Sequence, residues 1–222
     1  MIGKAVAGVA AGLVVAGAFA APASATDWVK AFPPAGDIPA SLGTYDAPRI
    51  DSGKAPKGGW FPCEAFTVPS AQTVVSAEYS TTGKTQKDVQ ARAYVYGSAA
   101  KAKQAYQTLQ SKLSSCDGKR NLTASESGPN TMRMTTTTGS LDSLVVTGVP
   151  SVFVYSRTAP LPGNAKSMEN TGGDYTVYTL ENDAILMTAA TQSNKVGYTA
   201  AQRQAVVDFA SDFTHSWGLA TN

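Results

Sequence analysis

The chain is short of the residues that carry most enzymatic chemistry. Histidine occurs once, as His215, and cysteine twice, as Cys63 and Cys116. A closed zinc site needs four such ligands, so the supply is thin. On an ideal helix His215 would point about 200° away from Phe213 and from Trp217, toward water, a poor setting for the rigidly held base of a Ser-His-Asp or Cys-His site. No G-x-S-x-G elbow occurs, and Gly58-Gly59 and Gly172-Gly173 lack the surrounding residues of a phosphate cradle, so both read as turns. No cofactor motif is present. Neither sign of charge dominates: 18 Lys and Arg stand against 16 Asp and Glu. That balance removes the electrostatic case for nucleic acid or an anionic membrane as partner. Beyond the first 25 residues no apolar run is long enough to span a bilayer.

Those first residues form a three-part secretory leader. Lys4 supplies a positive start, Ala5 to Ala21 is an unbroken run of apolar and small residues, and Ala23-Ser24-Ala25 has the small-x-small pattern that signal peptidase cuts. No Cys follows the run, so lipid modification of an N-terminal cysteine is not expected. Cleavage after Ala25 predicts a mature chain starting at Thr26, secreted to the extracellular or cell-wall space. Of the 222 residues, 197 then remain, enough for one domain with a real core. Lys4 is the only charged residue removed, leaving 17 basic residues against 16 acidic.

In an oxidising compartment the default state of Cys63 and Cys116 is a disulfide. Such a bridge closes a loop of about 54 residues, for which chain entropy gives on the order of 4 kcal/mol. Residues 26–62 read as a Pro/Gly-rich arm: Pro33-Pro34, Pro39, Pro48, Pro56 and Gly58-Gly59 break regular elements. Its aromatics, Trp28, Phe32, Tyr45, Trp60 and Phe61, predict that part of it packs against the domain.

Residues 63–222 read as one α+β domain. Strict alternation predicts strands over 73–80 and 89–96, with Val89, Ala91 and Ala93 on one face and Tyr94 and Tyr96 on the other. Ser98 is a good N-cap for a helix whose Ala102, Tyr106, Leu109, Leu113 and Cys116 share a face. Lys119 to Thr138 is polar and contains an Asn121-Leu122-Thr123 glycosylation sequon. Met132, Met134 and Thr136 suggest a short edge strand within it. Strands are expected over 141–146 and 151–157, with a bend at Gly148-Val149-Pro150. A hairpin follows: Tyr175 to Leu180, a turn at Glu181-Asn182-Asp183, and Ala184 to Thr191. Thr199 with Gln202 forms a capping box for a last helix carrying Val206, Phe209, Phe213 and Trp217, with Gly218 as its stop. The expected architecture is an antiparallel β-sheet packed by two amphipathic helices and stapled by one disulfide.

Three constellations invite a chemical reading. Asp208, Asp212 and His215 share a helix face that suits a weak divalent cation, although the ordinary reading is a solvated surface. Glu181 and Asp183 flank a hairpin tip, where paired carboxylates usually face water; acid–base work needs them in a cleft. Tyr94, Tyr96, Tyr155, Tyr175 and Tyr178 lie in predicted strands. Were both helices on one face, some of these rings would line the other face or a cleft.

The order strand, strand, helix, several strands, hairpin, helix, with Ser98-Ala99-Ala100-x-Ala102 opening the first helix and Leu113-Ser114-Ser115-Cys116 closing it, resembles the PknH-like family. This is an extracellular sensor-domain family typified by the external domain of an actinobacterial serine/threonine kinase. The resemblance spans roughly Cys63 to Trp217. It implies an antiparallel sheet packed by two helices and a cleft for an unidentified ligand. The chain departs from kinase-attached members in having no transmembrane helix, no kinase domain and two cysteines where two disulfides are expected. The expectation is therefore a secreted, non-enzymatic, sensor-like binding domain whose partner is a small molecule, a cell-wall component or a protein. The alternative is an inhibitor or partner of an extracellular hydrolase, acting through Pro160-Leu161-Pro162-Gly163. No catalytic, metal or ligand-contacting residue is assigned; the named positions are the disulfide pair Cys63 and Cys116.

Overall fold

A strand with one buried face must alternate, and the strands of this chain do. In the computed structural model, which describes residues 25–54, 71–81, 87–121, 132–141, 148–160, 172–192 and 197–221, Val75, Ala77 and Tyr79 are buried on one side of the strand Thr73–Ser80. The described elements run, in order, α1 (Ala25–Ala31), a 3-10 turn (Ala35–Asp37), β1 (Arg49–Gly53), β2 (Thr73–Ser80), β3 (Lys87–Val95), α2 (Ala99–Ser114), β4 (Gly118–Asn121), β5 (Met132–Ser140), β6 (Ser151–Pro160), β7 (Gly172–Glu181), β8 (Ala184–Gln192) and α3 (Ala200–Thr221). The eight strands make one sheet in the order β1-β2-β3-β8-β7-β6-β5-β4. Every pairing is antiparallel.

One crossover governs the layout. The chain leaves the sheet interior at the end of β3, passes through α2, re-enters at the far edge as β4, and meanders back through β5, β6 and β7 until β8 pairs with β3. The long helix α2 therefore lies over the β5-to-β8 half of one face, and its contacts are with β8, β7 and β5. On the opposite face α3 packs over β7 and β8, with α1 against it. The two helices thus cover opposite faces, giving two core clusters, one on either side of the sheet. The α+β class and the antiparallel sheet packed by helices stand; which face each helix takes was open in the sequence, and the structure puts them on opposite faces.

Local signals account for most elements. The Ser98 Oγ accepts from the Lys101 N–H at 3.4 Å and caps α2. At α3 the Gln202 N–H donates to Thr199 Oγ1 at 3.2 Å and the Thr199 N–H to Gln202 Oε1 at 3.0 Å, a complete capping box. Phe209, Phe213 and Trp217 recur every fourth residue and are fully buried. The β7–β8 turn is tighter than expected: Glu181 ends β7, and the two-residue turn places Asn182 at φ 50°, a conformation Asn tolerates better than most residues.

Four features depart from the sequence reading. The arm is not irregular throughout: it holds α1, the 3-10 turn and β1, and its Ala31, Phe32, Ile38 and Leu42 belong to the core under α3. Seven residues are too few for α1 to show a helical period or to stand alone. It is held by Trp28 stacked on Trp217 (5.0 Å, 16°) and Phe32 stacked on Phe213 (4.9 Å, 20°). β1 and β4 bury almost no apolar side chain, so they lack alternation, and only pairing with β2 and β5 reveals them. Within the polar tract, β5 is a full nine-residue strand. Gly218 does not stop α3, which runs to Thr221; a Cβ there would make only an ordinary contact, 3.4 Å, with Glu181 Oε1. Of the strand expected at 141–146, residues 142–146 lie outside the described residues.

Candidate ligand-binding face

Directly paired residues point to the same side of a sheet, so the register sorts every strand residue onto a face. On the α3 side β2 and β3 present Val75, Ala77, Tyr79, Val89, Ala91 and Ala93, all buried. On the α2 side the same strands present Ser76, Glu78, Gln90 and Arg92, all half-buried. β1 adds Arg49 and Asp51 there, both exposed. The crossover explains the difference: α2 leaves from the end of β3 and heads toward β4, away from β1 and β2. A polar half-face, β1-β2-β3, therefore adjoins an apolar half-face on which Tyr94, Val152, Val154, Tyr178, Ile185 and Met187 meet Ala102, Ala105, Tyr106, Leu109 and Leu113 of α2.

Arg92 sits at the seam. Its cross-strand partners are Ser76 on β2 and Met187 on β8, and Met187 in turn faces Tyr178 on β7. Its Nη2 donates to Gln90 Oε1 at 3.3 Å. Burial raises the Tyr94 pKa, and the neighbouring Arg92 guanidinium partly offsets the rise. The Arg92 Nε is buried with no hydrogen-bond partner. Toward one end of the strands the same side carries the cross-strand row Asp88, Thr191, Asp174, Ser156 and Thr136. Burial raises the Asp174 pKa, and a hydrogen bond with Thr191 partly offsets the rise.

The residues singled out from the sequence fall elsewhere. Tyr94, Tyr96, Tyr175 and Tyr178 are buried, because helices on both faces cover the rings instead of leaving one side open; only Tyr155 is half-exposed. Tyr155 lies under the Arg203 guanidinium, 5.4 Å from the ring centroid. His215 is exposed, as its helical position predicts, and so are Asp208 and Asp212. Asp208 accepts from Gln204 Nε2 at 2.9 Å, and the Asp212 pKa is raised by burial and by Asp37 and Asp208, against a lowering by His215. No group of three or more His, Cys, Asp or Glu side chains suited to a metal ion occurs among the described residues. Glu181 is half-buried against α3 and Asp183 is half-buried in the turn, where its carbonyl accepts from the Tyr96 N–H at 2.9 Å; the two carboxylates do not form an open pair at a solvated tip. Cys116 follows the end of α2 and is not a free thiol, while Cys63 lies outside the described residues. Pro160 ends β6, and Leu161 to Gly163 of the proposed inhibitory loop lie outside them too.

Arg92 and Asp174 were not singled out from the sequence. The available signal was a charged residue inside an alternating strand, which reads as an ordinary solvated face until the neighbouring strands are known.

The fold is an open antiparallel eight-stranded sheet with helices on both faces, an α+β architecture with one polar half-face. No family model matches the chain, and no curated protein matches it. Among solved structures it is similar to the extracellular domain of PknH from Mycobacterium tuberculosis, with a TM-score of 0.54 and 12% sequence identity over 83% of this chain and 93% of that one. Among the described residues no helix is long and apolar enough to cross a membrane.

Proposed function

We propose that this chain is an extracellular, non-enzymatic binding domain that takes its ligand on the polar half-face of β1-β2-β3. The observation that carries the reading is topological. Through their middles the same two strands bury Val75, Ala77, Tyr79, Val89, Ala91 and Ala93 toward α3, yet on their other side, beyond Val74 and Tyr94, they present Ser76, Glu78, Gln90 and Arg92, half-buried beside a wall of tyrosines. Partly covered polar groups next to apolar walls are the usual composition of a small-ligand site. The leader over residues 1–25 and the structural likeness to an extracellular domain support secretion. A Cys63–Cys116 bridge belongs to the same reading, since it would tie the end of α2 to the segment before β2.

The test is mass spectrometry of small molecules and peptides that stay with the native secreted protein through purification. Wild type should carry a bound compound, and Ser76→Trp, which fills the half-face, should lose most of it. A wild-type protein that carries nothing, or a folded Ser76→Trp protein that carries as much, would count against the proposal.

A further inference from the structure

Among the described residues Arg92 has no carboxylate within ion-pair distance. On the same side Asp88 of β3 and Asp174 of β7 lie toward one end of the strands, and the remaining carboxylates on these strands are Glu78 on β2 and Asp51 on β1. Both are taken by Arg49, whose Nη2 lies 3.1 Å from Glu78 Oε2 and whose Nε lies 3.1 Å from Asp51 Oδ2. No ion pair forms at Arg92 among the described residues. Its guanidinium is instead held by a neutral group, the Gln90 carboxamide, which orients it without neutralising it. Its Nε–H is buried with no acceptor, a costly state for a charged donor. The residue as a whole is half-buried, not enclosed, and it stands on a strand with partners on both sides. An uncompensated guanidinium held rigidly at the edge of an apolar wall is matched by a planar or tetrahedral oxyanion, which accepts two parallel N–H bonds.

We propose that Arg92 anchors an anion subsite, and that the ligand of the half-face carries a carboxylate or a phosphate group that pairs with it. The inference deepens the binding-domain reading and rests on it. The apolar part of such a ligand would lie toward Tyr94, Met187 and Tyr178, and its anionic end on Arg92. Arg49 is not an equivalent site, because its charge is already shared by two carboxylates at the exposed sheet edge.

The deciding experiment follows the Arg Nε–H resonances of the 15N-labelled full-length mature protein, with the Arg92 signal identified by its loss in Arg92→Lys. Sodium acetate and sodium phosphate are titrated separately, with sodium chloride holding ionic strength constant. A saturable shift of the Arg92 resonance below about 100 mM anion, with the Arg49 resonance unmoved, is expected. The stronger of the two anions tells a carboxylate ligand from a phosphorylated one. No saturable shift with either anion would overturn the proposal. In the co-purification assay, Arg92→Met, with its fold checked by the same spectrum, should retain at least tenfold less ligand. Undiminished retention would overturn the anion anchor while leaving the binding-domain reading intact.

Discussion

Asp174 shows how far a single side chain can depart from its ordinary behaviour in this fold. Burial raises its pKa above the usual 3.8, and the Thr191 hydrogen bond only partly offsets this. The folded state therefore holds a proton that the unfolded chain has released, between pH 3.8 and the raised value. In that window the unfolded state binds fewer protons, so the Asp174 contribution to stability falls as pH rises and stays unfavourable above it. Asp174→Asn is expected to raise the melting temperature at neutral pH and to flatten this decline. Melting curves of both proteins from pH 3 to 7 check it; an unchanged slope would show that the carboxylate is solvated in the folded state. Arg92 is the cationic counterpart, a half-buried side chain whose buried Nε–H has no acceptor among the described residues.

At the level of elements, the least obvious pieces are the ones held by others. α1 has seven residues and cannot persist as an isolated helix. It exists because Trp28 and Phe32 stack on Trp217 and Phe213 of α3, and because the Tyr79 hydroxyl donates to the Pro33 carbonyl at 2.7 Å just beyond it. Trp28→Ala should remove the outer stack, cost about 2 kcal/mol, and free the first turn for proteolysis. Chemical denaturation together with limited proteolysis before Phe32 checks it, and unaltered protection would mean that Phe32 alone suffices. The legibility of each element followed its own burial. α2, α3, β2, β3 and the β7–β8 hairpin bury one side and show it as a period or a cap. β1 has the burial pattern exposed, intermediate, exposed, exposed, exposed, and β4 reads Gly-Lys-Arg-Asn, so neither has a pattern to read. The glycine at 218 looked like a stop because glycine usually is one; the helix instead runs on to Thr221.

For the molecule as a whole, the proposed Cys63–Cys116 bridge would fasten the end of the crossover helix to the segment that precedes β2 in the chain. Reduction, or Cys63→Ser, is expected to lower stability by on the order of 4 kcal/mol while the folded protein keeps its far-ultraviolet spectrum. The exported protein should begin at Thr26 by intact mass and resist alkylation until reduced; thiols reactive without reductant would refute the bridge. Loss of the bridge should also loosen the end of α2, and with it the tyrosine wall beside Arg92.

Composition and order alone determined the shortage of catalytic side chains, the α+β class and the two long helices, because each of these is written in neighbouring residues. Only the tertiary structure decided which face each helix covers. Alternation says that a strand has two unlike sides but not what lies on either, and that assignment comes from β3 pairing with β8, nearly a hundred residues later in the chain. The same pairing buried the tyrosines expected in a cleft and left Arg92 beside carboxylates already claimed by Arg49.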